Sequence, residues 1–198
     1  LPIETRSYKN GDLVQKELHT YKKNTKSGNF VPDAVYNYYL GSEQTASDFN
    51  GSNLSQYGLP DYTLSGYDKY DNITEVKSRT GESEVYIWGY NGQYVIARIV
   101  NATRSLIESH GIGSLDSFAS GAEPSEADWN KLNALRNSLP QCMVYTYKYE
   151  PMVGLIETTD PKGMTLYYEY DAKGRLTIER DNNRNMIRSY RYTQKNER

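Results

Sequence analysis

The sequence predicts a mainly β fold, α+β by overall content: an antiparallel sheet of repeated hairpins broken once by a short helical insertion. Three observations predict it. Tyrosine is in excess, with 20 residues against 3 phenylalanines and 2 tryptophans in a chain of 198, and tyrosine favours half-buried pleated surfaces. Features of the C-terminal half recur together: Tyr149 and Tyr170, Leu155 and Leu176, Asp160 and Asp181 each stand 21 residues apart. Between 102 and 141 the strand pattern stops, and helical periodicity takes its place.

The elements follow in chain order. Tyr8-Lys9-Asn10-Gly11-Asp12-Leu13 is a hairpin signal, because Asn-Gly supplies two positive φ angles between alternating residues. Residues 13–21 and 30–40 read as strands, and the polar, Gly/Ser/Asn-rich 42–66 as a loop or edge hairpin. An earlier pair of units is marked by Tyr70-Asp71 and Tyr90-Asn91, with Asn101 standing where later units carry Asp160 and Asp181. Tyr86, Trp88 and Tyr90 alternate at period 2, as do Tyr147 with Tyr149 and Tyr168 with Tyr170, which sets each group on one strand face. Asp171-Ala172-Lys173-Gly174 reads as a tight turn, with Gly174 at positive φ. Asp160-Pro161-Lys162-Gly163 and the turn opened by Asp181 join successive hairpins. Arg175, Leu176 and the residues to 180 return as a strand, and Tyr190 and Tyr192 open another half-unit.

The insertion contains one well-signalled helix. Ser125 caps it with Asp128 as the acidic member of a capping box, Trp129, Leu132, Leu135 and Arg136 follow at helical spacing, and Pro140 stops it. A weaker helix is expected over 103–109, then a Ser/Gly-rich loop over 111–121. The chain thus divides into N-terminal hairpins and loop (1–66), repeats (67–101), a helical insertion (102–141) and further repeats (142–198). No single unit can bury its own face, so each leans on its neighbours.

Composition excludes several function classes. With 23 basic and 25 acidic residues the net charge is −2, so no nucleic-acid partner is expected. The lone Cys142 precludes an internal disulfide framework and a thiolate metal site, and two histidines leave little for another metal site. No apolar run reaches membrane-spanning length. The start, Leu1-Pro2-Ile3-Glu4-Thr5-Arg6, lacks a methionine and the pattern of a signal peptide, as in a processed chain or an excised fragment.

Tyr168-Glu169-Tyr170-Asp171-x-x-Gly174-Arg175-Leu176, followed by Asp181 and Tyr190-x-Tyr192, resembles the YD repeat of the Rhs (rearrangement hot spot) family. Tyr86-Ile-Trp88-Gly-Tyr90-Asn-Gly92 is similar to bacterial Rhs-like proteins with a helical insert, as is Met143-Val-Tyr-Thr-Tyr147-x-Tyr149 with Gly154 after it. The resemblance covers residues 67–192 well and 1–66 loosely. It implies a non-enzymatic segment of a β-sheet shell in a large secreted or surface-exposed protein. Its partners are then flanking repeats of the same polypeptide, with an enclosed C-terminal toxin domain or a surface glycan beyond them. No cofactor is implied. A glycan-binding face of exposed tyrosines is the alternative.

Candidate catalytic groups each have a plainer structural explanation. Asp68 with Asp71, or Asp160 with Asp171, have the residue types of a glycosidase pair, yet all occupy turn positions that favour aspartate. The stretch from Asp181 to Asn185 begins like a calcium loop but carries Met186 and Tyr192 where Gly and Glu are needed. His19 and His110 have no second ligand or base nearby in sequence, and Gly111-Ile112-Gly113-Ser114 lacks the glycine that a nucleophile elbow needs after its serine. The basic tail, Lys173 to Arg198 with Tyr190 and Tyr192 interleaved, reads as a protected strand edge.

Overall fold

A computed structural model of the chain describes residues 3–39 and 54–193. Among the described residues the protein is mainly β, with twelve strands, antiparallel pairing throughout, and one helical segment. The chain divides into two compact units: Leu1–Val85 with Ala102–Arg104, and Tyr86–Asn101 with Ser105–Arg198. The cut falls inside one strand.

In the first unit the strands follow one another in chain order: β1 (Ile3–Lys9), β2 (Asp12–Lys23), β3 (Phe30–Tyr39), β4 (Tyr62–Tyr67), β5 (Ile73–Ser78) and the start of β6 (Ser83–Gly89). Asn10 and Gly11 both have positive φ, 52° and 91°, between paired Lys9 and Asp12, the two-residue turn whose twist matches its strands. β4 begins within the stretch expected to be a loop or an edge hairpin. Residues 42–53 of that stretch lie outside the described residues, a short 3-10 turn follows at Leu54–Tyr57, and Tyr62–Tyr67 then pairs with strands on both sides. Its Thr63, Leu64 and Tyr67 have the branched and aromatic character a strand needs, which the Gly/Ser composition around them obscures. Leu18, Val31 and Ala34 are buried, and Lys16 is buried with them, its ammonium 3.9 Å from Glu4.

In the second unit the rest of β6 is followed by β7 (Tyr94–Val100), β8 (Met143–Glu150), β9 (Gly154–Thr159), β10 (Thr165–Tyr170), β11 (Leu176–Arg180) and β12 (Met186–Ser189), again in chain order. The insertion opens with α1 (Arg104–Ile107), which runs into a wider turn, Glu108–Ile112, kinked at His110 and Gly111. The expected loop over 111–121 contains a 3-10 turn, Leu115–Ser120, because Leu115, Phe118 and Ala119 bury on one side of it. α2 (Glu126–Ser138) carries the full capping box between Ser125 and Asp128, and its Trp129, Leu132 and Leu135 are buried. It packs on β8 and on the Glu108–Ile112 turn. The buried core of this unit's strands is aliphatic, with Ile87, Ile96, Ile99 and Val144 nearly fully covered.

Candidate functional site: the tyrosine and aspartate turns

Four turns share one construction. In Asp68–Asn72, Asp160–Met164, Asp171–Arg175 and Asp181–Asn185, the amide of the aspartate donates to the carbonyl four residues on, at 2.9–3.0 Å. The aspartate carbonyl accepts from the amide three residues on. Its Oδ1 accepts from the amides two and four residues on: Tyr70 and Asn72, Lys162 and Met164, Lys173 and Arg175, Asn183 and Asn185. Short polar side chains make this local loop back to their own backbone. The fourth position is left-handed in every copy: Asp71 at φ 65°, Gly163 at 82°, Gly174 at 71° and Arg184 at 65°. This is a type I turn closed by a left-handed residue, a common three-residue hairpin connection.

One such turn follows each of β4, β9, β10 and β11, so the period of 21 residues holds two strands and two equivalent turns. Tyr70-Asp71 is therefore not the counterpart of Tyr170-Asp171; Tyr67-Asp68 is. Asp71 stands where Gly174 does, and Tyr70 is exposed with Lys69 over its ring. Two aspartates three residues apart look alike in sequence, and only the backbone angle separates them. Asp71 accepts from Asn24 and Asn29 at 2.7 Å each and from Ser27 at 2.5 Å, which ties its turn to the β2–β3 loop. These bonds hold its carboxyl below the ordinary value. Nothing in the spacing announces that tie, because its partners lie more than 40 residues away.

Three tyrosines, two of them directly before an aspartate turn, have a matching task. Tyr67 donates its hydroxyl to the Pro32 carbonyl at 2.6 Å, Tyr170 to Leu155 at 2.8 Å, and Tyr192 to Leu176 at 2.9 Å. Each acceptor lies on the preceding strand. For Tyr67 and Tyr170 it also lies beyond the last paired residues, Ala34↔Thr63 and Tyr167↔Glu157. In the ladder with the following strand the register shifts just before Tyr67, Tyr149 and Tyr170, and such bulges kink a strand and increase its twist. The hydroxyl then satisfies a carbonyl that the ladder leaves behind. Gly154 makes room for this: a Cβ there would lie 3.2 Å from the Tyr170 Oη. The aspartate fastens the turn ahead, and the tyrosine fastens the strand behind.

The other signature residues are placed as follows. Tyr86 and Trp88 are half-buried on the face opposite Val85 and Ile87. Tyr90 is not on their strand face: it sits in the turn at φ 52°, nearly fully buried, and donates to the Tyr149 carbonyl at 2.8 Å. Tyr94 stacks on Tyr149 with ring centroids 4.6 Å apart, and Tyr90 meets both edge-on. Tyr147 pairs with Thr158 across the ladder, Tyr168 meets the Thr158 hydroxyl, and Tyr190 donates to Glu179. Arg175 grips Asp171 at 2.7 Å and lies over the ring of Tyr192, which pulls the Asp171 carboxyl down to about 2. At Glu150 the same turn does not form: its side chain is one methylene longer, and the positive φ moves to Met152.

The remaining chemistry-bearing groups are dispersed. His19 pairs with Glu17 on β2, and His110 bonds the Leu106 carbonyl at the kink after α1. Cys142 is buried with its thiol on the Asn101 carbonyl, and burial pushes that thiol up. Three arginines of the tail are engaged within the sheet: Arg180 with Glu169, Arg188 with Glu179, and Arg184 over Tyr167. Lys195 and Arg198 lie outside the described residues.

No family model matches the chain, and no curated protein does. Among solved structures it is similar to a chain of the Photorhabdus luminescens Tc holotoxin pore, with a TM-score of 0.48, 12% identity, and coverage of 97% of this chain and 8% of that one. It is also similar to TcdB2-TccC3 without the hypervariable C-terminal region, with a TM-score of 0.44, 11% identity, and coverage of 95% and 9%. The chain therefore spans less than a tenth of the length of the solved chains it matches.

Proposed function

We propose that the chain is a non-enzymatic structural segment of a larger YD-repeat protein, secreted or surface-exposed, whose sheet it helps to build. One observation carries this reading: the carboxylates and hydroxyls of the motif are spent on the protein's own backbone. Asp68, Asp160, Asp171 and Asp181 each face two amides of their own turn, and Tyr67, Tyr170 and Tyr192 each face a carbonyl of the strand behind. A general acid, nucleophile or glycan platform needs those atoms free to meet a substrate. An enclosed toxin is the cargo such a shell would carry.

Electron microscopy of the intact parent protein tests the reading. The expected result is that the strands of this segment continue into further strand-and-turn units, an aspartate at the head of each turn. A hydrolytic activity of the chain that vanishes in Asp160→Ala, Asp171→Ala or His110→Ala would overturn it.

A further inference from the structure

Two described turns carry the pair Asn-Gly, at Asn10-Gly11 and Asn91-Gly92; a third pair, Asn50-Gly51, lies outside the described residues. Both turns put the asparagine at positive φ, 52° and 56°, and both asparagines are exposed. Their surroundings differ. The Asn91 amide donates to the Gly121 carbonyl at 2.7 Å, and the Gln93 amide to the carbonyls of Gly89 at 3.1 Å and Tyr90 at 3.3 Å. Tyr90 is nearly fully buried and bonded to Tyr149, and Gly92 is itself engaged. Among the described residues neither the Asn10 side chain nor the Gly11 amide has a hydrogen-bond partner. Gly11 is exposed, and a Cβ placed there would meet nothing within 4 Å. Its turn is closed by the Lys9↔Asp12 pair, at the end of a strand that pairs only with β2.

An Asn-Gly pair carries a reaction of its own. Once solvent base has taken its proton, the glycine amide nitrogen attacks the asparagine Cγ. The N–Cγ bond forms, the Cγ–Nδ2 bond breaks, and Nδ2 leaves as ammonia after taking a proton from water. Water then opens the succinimide that remains. Addition at the side-chain carbonyl gives aspartate, and addition at the main-chain carbonyl gives isoaspartate, so each turnover consumes one water and releases one ammonia. Glycine permits the attack because no Cβ restricts its backbone or screens its nitrogen. The ring closes only when the backbone rotates to bring that nitrogen onto Cγ, so the rate follows how often the turn opens.

We propose that Asn10 is a site of spontaneous deamidation whose isoaspartyl product frees β1 from the sheet, while Asn91 is kept intact by the bonds around it. Isoaspartate routes the main chain through the side chain. That adds a methylene to a two-residue turn whose fit depends on its backbone twist, and it sets a new carboxylate two residues from Asp12. Little else holds β1. All of its residues but Glu4 are exposed, and Glu4 meets Lys16 and the Tyr57 hydroxyl. The inference does not rest on the scaffold reading, since Asn10 takes no part in the aspartate or tyrosine clamps.

The test incubates the whole chain at mildly alkaline pH, folded and in parallel in urea. Peptide mapping by mass spectrometry and isoaspartate-specific carboxyl methylation follow each site. In urea the two dipeptides should react at similar rates. In the folded chain Asn10 should react at least about tenfold faster than Asn91, because several hydrogen bonds of about 1 kcal/mol each hold the second turn shut. Amides paired between β1 and β2 should exchange faster in the isoaspartyl form. Asn10→Gln, whose longer side chain cyclises far more slowly, should keep both its mass and that protection. No reaction at Asn10 in the folded chain, folded rates at Asn91 that equal or exceed it, or an isoaspartyl form with β1 as protected as before would overturn the proposal.

Discussion

Replacing Asp68 by alanine removes the acceptor at the centre of the β4–β5 turn. Three bonds end on that carboxylate: from the amides of Tyr70 at 2.8 Å and Asn72 at 2.9 Å, and from the Asn72 side chain at 3.1 Å. Asp68 is 1% exposed, so water cannot take its place without opening the turn. A bond to a charged acceptor is worth about 1.5–3 kcal/mol net. Three that share one acceptor do not add independently, so a loss of about 3 kcal/mol is expected for Asp68→Ala. Asp68→Asn keeps an oxygen for the two amides and should lose about 1 kcal/mol. Glu150 heads the β8–β9 turn but makes no such bonds, so Glu150→Ala should stay within about 0.5 kcal/mol of the parent. Urea titration followed by far-UV circular dichroism measures all three, and Asp68→Ala should lower the midpoint by at least about 1 M. Equal midpoints for Asp68→Ala and Glu150→Ala would refute the reasoning.

Other outcomes follow from the same clamps. The Asp171 carboxyl is held at about 2 against an ordinary 3.8, chiefly by the Arg175 side chain. Because the folded value is the lower one, its contribution is complete above 3.8 and lost as pH falls toward about 2. Urea midpoints across that window should therefore fall less steeply in Asp171→Asn than in the parent. Tyr170→Phe deletes only the hydroxyl on Leu155 and should destabilise by about 1 kcal/mol, read by the same titration. Gly154→Ala puts a methyl 3.2 Å from the Tyr170 Oη at a φ of 148° and should cost about 1–3 kcal/mol. Tyr170→Ala made in that background should then add less than it does alone, because the clash is gone.

Local rules carried the sequence reading where they suffice. The Asn10-Gly11 hairpin, the Ser125 cap and the left-handed Gly174 each depend on residues within four positions of one another, and each stands where it was expected. Two adjacent candidates defeated the same rules at Asp68 and Asp71, since either aspartate could open a turn. Tyr90 was assigned to a strand face because alternation continues through it, whereas its burial depends on Tyr94 and Tyr149. β4 was hidden by its low-complexity surroundings.

Amide hydrogen exchange, resolved residue by residue, tests most directly whether one turn recurs along the chain. The amides two residues after each aspartate, at Tyr70, Lys162, Lys173 and Asn183, should all be protected, although all four residues lie at the exposed surface. An aspartate-to-alanine substitution should abolish protection in its own turn alone. Free exchange at any of the four in the unaltered chain, or protection that survives loss of the aspartate, would contradict the account.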